Sequence, residues 1–248
     1  MNERKKEIFV PSGTSYYIRE QNGNDDQVIS SLSGGNELEL LTKFLAGVLV
    51  GTKTEPDKAP GLAWIKDMPV RDKYVLLIQS RIFSLGSELK FEFQPNEELP
   101  PEEYLEDLSE YVVDSYEDFN AKLHPLVIPP YTTEPGEPVK ATLTTGRVIE
   151  FDFLTAKGEV TLSKLAVSEQ HINQQLLIRN IKTEVDGVLK TVVNFTAFTA
   201  REMMEIRSLI RDYDDSFDFV TFVENPATGQ SEPIPIFSLQ DFFFPRLL

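Results

Sequence analysis

The side chains that could do chemistry are few. The chain has two histidines, His124 and His171, far apart among 248 residues. His124 precedes Pro125 in a proline-rich stretch and reads as a solvated loop residue; His171 follows Gln170 in a helical pattern and reads as a surface or half-buried polar group rather than a general base. The carboxylate pairs Asp25-Asp26, Glu102-Glu103 and Asp214-Asp215 have the residue types of a cation site or a glycosidase. Among 40 acidic residues, however, such pairs arise by chance. Ser33-Gly34-Gly35-Asn36 precedes a helix, where a phosphate can be cradled. It lacks the lysine of a P-loop and reads as a helix cap. There is no cysteine, hence no disulfide and no thiolate metal site. No Gly-x-Ser-x-Gly elbow is present. The expectation is a chain without catalytic, cofactor-binding or metal-ligating residues.

The arginines are more informative. Arg71 and Arg81, ten apart, recur as Arg201 and Arg211 in an otherwise acidic chain. Two roles follow: ion pairs with carboxylates across two halves of the chain, which is the favoured reading, or anchors on a partner subunit. The C-terminal stretch adds Phe237, Phe242, Phe243 and Phe244. Such a stretch is an aggregation hazard if exposed, so it must be tucked into a core or docked, at least in part, on a neighbour. These four arginines and four phenylalanines are the candidate partner-interface residues.

The balance of 24 basic against 40 acidic residues gives a formal charge of −16, which opposes binding to nucleic acid or anionic membrane. The longest apolar run, Phe44–Val50, is far short of the ~20 residues of a membrane span. The basic start leads into Ile8-Phe9-Val10-Pro11 rather than a signal-peptide core. A soluble protein made in a cytoplasm is expected.

The elements that must position these residues alternate between periods. Residues 8–32 read as a hairpin turning at Asn22-Gly23. Leu38, Leu41, Leu45 and Leu49 mark a helix over 37–50 with acidic residues in its first turn. Val70, Tyr74, Leu77, Ile78 and Ile82 mark a second helix, with Gly86 as its stop. Leu89, Phe91 and Phe93 then alternate with charges, as in a half-buried strand. Ten of residues 97–122 are acidic, and Leu105, Leu108, Val112 and Tyr116 suggest an exposed helix over 102–118. Residues 123–138 hold five prolines and read as a linker.

After the linker the pattern restarts. Thr144–Phe151 matches Pro11–Ile18 in form, Lys157-Gly158-Glu159-Val160 stands where Asn22-Gly23 stood, Ser168–Ile181 is helical, Val192–Phe198 reads as a strand, and Ala200–Tyr213 repeats the central helix. Gly13 to Gly146 is 133 positions, Arg71 to Arg201 is 130, Gly51 to Gly187 is 136 and Pro95 to Pro226 is 131. The expected fold class is α+β, as two similar tandem copies joined by a Pro-rich linker. The copies would span 1–100 and 139–248, with the acidic helix and linker at 101–138.

Met68-Pro69-Val70-Arg71-Asp72-Lys73-Tyr74-Val75-Leu76-Leu77, followed by Arg81 and Gly86, and the ending Asp241-Phe242-Phe243-Phe244-Pro245 resemble the phage T4-type baseplate protein family. The likeness spans nearly the whole chain through structural motifs. It implies a non-enzymatic part of the baseplate or hub of a contractile tail or related injection system. Such a part joins other baseplate and tail proteins in a multi-subunit hetero-complex, first in a host or bacterial cytoplasm and then in the tail. An assembly chaperone absent from the finished particle is the near alternative, and a carboxylate-dependent cell-wall glycan hydrolase a remote one. Family members carry C-P-x-C-like turns suited to zinc. Phe93-Gln94-Pro95-Asn96 and Glu224–Gly229 keep the prolines here without the thiols.

Overall fold

The computed structural model describes residues 4–30, 37–94, 100–113, 137–165, 169–214, 220–225, 228–236 and 240–243. Strands β1 (Lys5–Phe9) and β2 (Ser15–Arg19) form an antiparallel hairpin. Its turn is closed by Gly13 N–H to Val10 O at 2.9 Å, with Gly13 at φ 80°, a conformation that costs glycine little. Asn22-Gly23, expected as the hairpin turn, instead starts helix α1 (Gly23–Ser30). The Asn22 side-chain oxygen accepts the Asn24 N–H at 3.0 Å, and its carbonyl accepts that of Asp25 at 2.9 Å. Asn is as good a helix starter as a turn former. Helix α2 (Glu37–Val48) stops two residues before the expected end, because Leu49 opens strand β3 (Leu49–Thr52) on the free side of β2.

A short helix, α3 (Leu62–Lys66), leads into α4 (Val70–Leu85), which ends at Gly86 with φ 90°. Of the 16 residues of α4, eleven are buried, among them Arg71, Asp72, Lys73, Gln79, Ser80 and Arg81. A helix enclosed on every side must satisfy its polar groups internally. Strand β4 (Glu88–Phe93) follows as expected and pairs with β5 (Glu102–Asp107). The exposed helix expected over 102–118 is therefore, in its described part, β5 and a 3-10 turn at Leu108–Tyr111. Its two-residue period escapes a hydrophobic pattern because the inward residues are Tyr104, stacked on Phe91, and Glu106, bonded to Tyr111. Leu105 points outward. Most of the expected linker lies outside the described residues.

The second half begins with β6 (Val139–Thr142) and β7 (Val148–Phe151), then α5 (Ala156–Ser163) and α6 (Glu169–Ile178). Strands β8 (Lys182–Val185) and β9 (Val188–Thr191) extend the sheet in the order β6-β7-β8-β9. Helix α7 (Ala200–Asp214), the hairpin β10 (Val220–Glu224) and β11 (Ser231–Pro235), and the turn α8 (Gln240–Phe243) complete it. Two expectations fail locally. Lys157–Val160 is inside α5, not a turn, because Thr155 caps that helix by accepting the Gly158 N–H at 3.2 Å. The strand expected at Val192–Phe198 is β9, a few residues earlier, turning at Asp186-Gly187 with φ 56° and 76°. Gly51, inside β3, is thus no counterpart of Gly187.

The element order recurs in part: hairpin, two helices, a third strand on the second, long helix, hairpin, helical turn, with α3 only in the first half and β9 only in the second. Backbone bonds recur with it. Val10 N–H to Thr14 O and Gly13 N–H to Val10 O are matched, 133 residues on, by Leu143 to Arg147 and Gly146 to Leu143. The two hydrophobic clusters do not divide at the linker, however. One joins Val139, Ile149, Phe151, Leu176, Ile206 and Ile210. The other joins β1–β3, α2 and α4 to Val223, Ile234, Ile236, Phe242 and Phe243. Val223, Ile234, Ile236, Phe242 and Phe243, expected with the second copy, pack with the first.

Candidate functional site

The first turn of α4 is where the halves meet. Pro69 and Thr155 form an antiparallel bridge, flanked by Val70 N–H to Leu154 O and Ala156 N–H to Met68 O, both 2.9 Å. Four successive side chains then diverge. Arg71 lies in the fields of Asp72 and Asp214. Asp72 Oδ1 accepts the Ser12 N–H of the first hairpin turn at 2.9 Å. Lys73 Nζ is 2.5 Å from Glu159 Oε2, and Tyr74 donates its hydroxyl to the other oxygen of Glu159. A backbone zipper and a buried ion pair thus tie α4 to α5.

Burial sets the protonation of this layer. It pushes Asp72 up to about 7, against the pull of Ser12 and Arg71. It pulls the Lys73 ammonium below its ordinary value, with Glu159 opposing. Asp214 is raised by burial, while Arg179 and the Leu154 N–H, bonded to its Oδ2 at 2.8 and 2.7 Å, act the other way. Asp72 and Asp214 each hold a backbone N–H, and Lys73 is held by the Glu159 carboxylate. None is placed as a nucleophile with an adjacent base, and among the described residues no three His, Asp or Glu side chains converge as metal ligands. The layer is a structural joint.

The second half repeats part of it. Glu202 sits 130 residues after Asp72 and Thr145 sits 133 after Ser12; Thr145 Oγ1 donates to Glu202 Oε1 at 2.8 Å. Glu202 also accepts the Thr199 N–H at 2.8 Å, as in a capping box. Gln21 N–H to Ser84 Oγ is likewise matched by Leu154 N–H to Asp214 Oδ2.

The arginine pairs are not equivalent. Arg81 is buried and donates to Gly86 O at 2.6 Å and Glu88 O at 3.1 Å, closing the C-terminus of α4. Arg71 is buried in the joint. Arg201, 3.3 Å from Glu205, and Arg211, 3.2 Å from Ser208, are exposed on α7. Phe242 and Phe243 are buried, with Phe243 edge-on to Phe44 at 5.5 Å. Arg71, Arg81, Phe242 and Phe243 are therefore held inside this chain rather than offered to a partner. Phe237 and Phe244 lie outside the described residues, as do Ser33-Gly34-Gly35-Asn36 and His124.

What the surface does offer is elsewhere. Strand β9 forms the edge of its sheet and all four of its residues are exposed, Val188 at 58%. Val185, Leu189 and Val193 add apolar area beside it. A second feature is a cleft of about 340 Å³ beside Trp64 and Tyr16, rimmed by Thr52, Lys53 and Pro60. Neither was singled out by sequence, because Val-Leu-Lys-Thr reads as an ordinary strand until its place at the edge is known. Comparison with family models, curated proteins and solved structures finds no match to this chain. Among the described residues, no helix is long and apolar enough to cross a membrane.

Proposed function

We propose that this chain is a non-enzymatic structural subunit of the baseplate or hub of a phage-like contractile tail or injection system, acting through protein–protein contacts in a multi-subunit hetero-complex. The observation that carries the contact role is β9, a sheet edge whose unpaired backbone groups lie among exposed Val185, Val188, Leu189 and Val193. An edge of this kind accepts a strand from another chain, with main-chain hydrogen bonds supplying affinity. The assignment to a tail is supported by the R-D-x-Y-x-L-L-x3-R helix and the D-F-F-F-P ending. The matched turn bonds and the paired Asp72–Ser12 and Glu202–Thr145 contacts support a tandem duplication behind the fold. Assembly would take place in a host or bacterial cytoplasm, before incorporation into the tail.

The test is co-expression with the products of the flanking genes, read by size exclusion and mass spectrometry. A defined hetero-complex that is lost on Val188→Asp, with the variant still folded, is the expected result. Presence of the chain in purified particles separates a structural subunit from a departing assembly factor. A chain that stays monomeric beside tail proteins refutes the proposal.

A further inference from the structure

Helix α5 carries Lys157, Val160 and Thr161, and its C-cap is Lys164; their spacings of three, four and seven put them on one face. That face lines a cleft of about 250 Å³, closed opposite by Glu39 and Thr42 of α2 and by Lys66 at the end of α3. The cleft therefore straddles the line where the halves meet. Three lysines converge on it in a chain of net charge −16. Elsewhere the described lysines commonly find a carboxylate: Lys5 with Asp57, Lys58 with Glu55, Lys73 with Glu159, Lys140 and Lys182 with Glu150. Among the described residues, Lys66, Lys157 and Lys164 have no ion pair or side-chain hydrogen bond, and the one acid lining the cleft, Glu39, is paired with Lys43 at 3.5 Å.

Three like charges around one concavity repel one another, and among the described residues the one carboxylate lining it, Glu39, is paired with Lys43. The geometry points to a binding site for an acidic peptide segment of a partner protein, two of whose carboxylates would be taken between Lys66, Lys157 and Lys164. Size favours side chains over a larger ligand, since drug-sized molecules fill pockets of about 300 Å³ and more. Ala156, Val160 and the lysine stems give the floor an apolar part suited to the methylenes of glutamate. A negatively charged protein gains a local attraction there that its overall field denies elsewhere, and hence a preferred landing point for an acidic partner. The site stands on its own charge and shape and does not depend on the tail assignment.

The experiment uses the full chain and a hexaglutamate peptide, titrated calorimetrically at low and at moderate salt. We expect saturable binding that weakens with salt and falls at least tenfold in Lys157→Glu/Lys164→Glu. The control Lys90→Glu/Arg207→Glu, at two exposed positions away from the cleft, makes the same change of net charge and should retain most of the affinity. Equal loss in both double variants, or no loss in the first, overturns the site. If tripolyphosphate binds at the cleft while hexaglutamate does not, the peptide is the wrong ligand and the proposal fails. Should the glutamate variant fail to fold, Lys157→Gln/Lys164→Gln gives the same readout without reversing charge.

Discussion

Asp72 is ordinarily a group of pKa 3.8, and burial in the first turn of α4 raises it to about 7. Between those two values the folded chain holds a proton that the unfolded chain has released. The contribution to stability is therefore fully present below the unfolded value and is lost as pH rises through about 7. Integrating the linkage gives about 2.7 kcal/mol at pH 5 and about 0.1 kcal/mol at pH 8. Asp72→Asn removes the titration while leaving an oxygen to accept the Ser12 N–H. Whatever the fixed cost of the amide, the stability of the variant relative to wild type should move in its favour by about 2.6 kcal/mol between pH 5 and pH 8. Urea unfolding followed by far-UV circular dichroism at four pH values measures this directly, with the slope checked for constancy. A difference that stays flat across that range refutes the assignment of a buried, proton-holding carboxylate.

Lys73→Met leaves Glu159 with Tyr74 and no cation, and should cost about 3–5 kcal/mol in urea unfolding; a cost below about 1 kcal/mol would show that the ion pair is solvated. Phe243→Ala should destabilise the fold by about 3–5 kcal/mol, lowering a single thermal transition, since that ring packs on Phe44 in the larger core; a neutral variant would put the C-terminal turn elsewhere. Arg81→Met loses two bonds to carbonyls and should cost about 2 kcal/mol, whereas Arg211→Ala on the exposed side of α7 should stay within about 0.5 kcal/mol. Equal effects at the two positions would contradict their different surroundings.

The long helix, its glycine stop and the strand after it were legible because Val70, Leu77 and Ile78 keep a strict period and Leu89, Phe91 and Phe93 then keep another. The two like hairpin turns, 133 residues apart, were legible through Gly13 and Gly146, where a positive φ constrains residue type. Three things were hidden. Asn22-Gly23 suits a helix start as well as a hairpin, and only the following chain decides. The strand β5 turns half-buried tyrosine and glutamate inward, so its pattern imitates an exposed helix. The joint itself lay in plain view as Arg71-Asp72-Lys73, but three charges in the first turn of a helix usually face water. The signal that could have found it is that the apolar residues which follow, Val75 through Ile78, cover more than one side. The lysine cleft, finally, depends on α2, α3 and α5 meeting, which no local pattern records.

Because Val223, Ile234, Ile236, Phe242 and Phe243 complete the core begun by Ile8 and Ile18, the order of synthesis and the order of closure differ. A ribosome that has passed β5 has produced strands and helices whose apolar faces still lack their cover. The 139–214 region, with its own cluster, can be finished while that surface waits. The nascent chain must therefore spend the time needed to translate more than a hundred further residues with an open core, several seconds at about 5–20 residues per second. The larger core is in turn closed by segments far apart in sequence, so loosening either β1–β2 or Phe242–Phe243 opens the same interior.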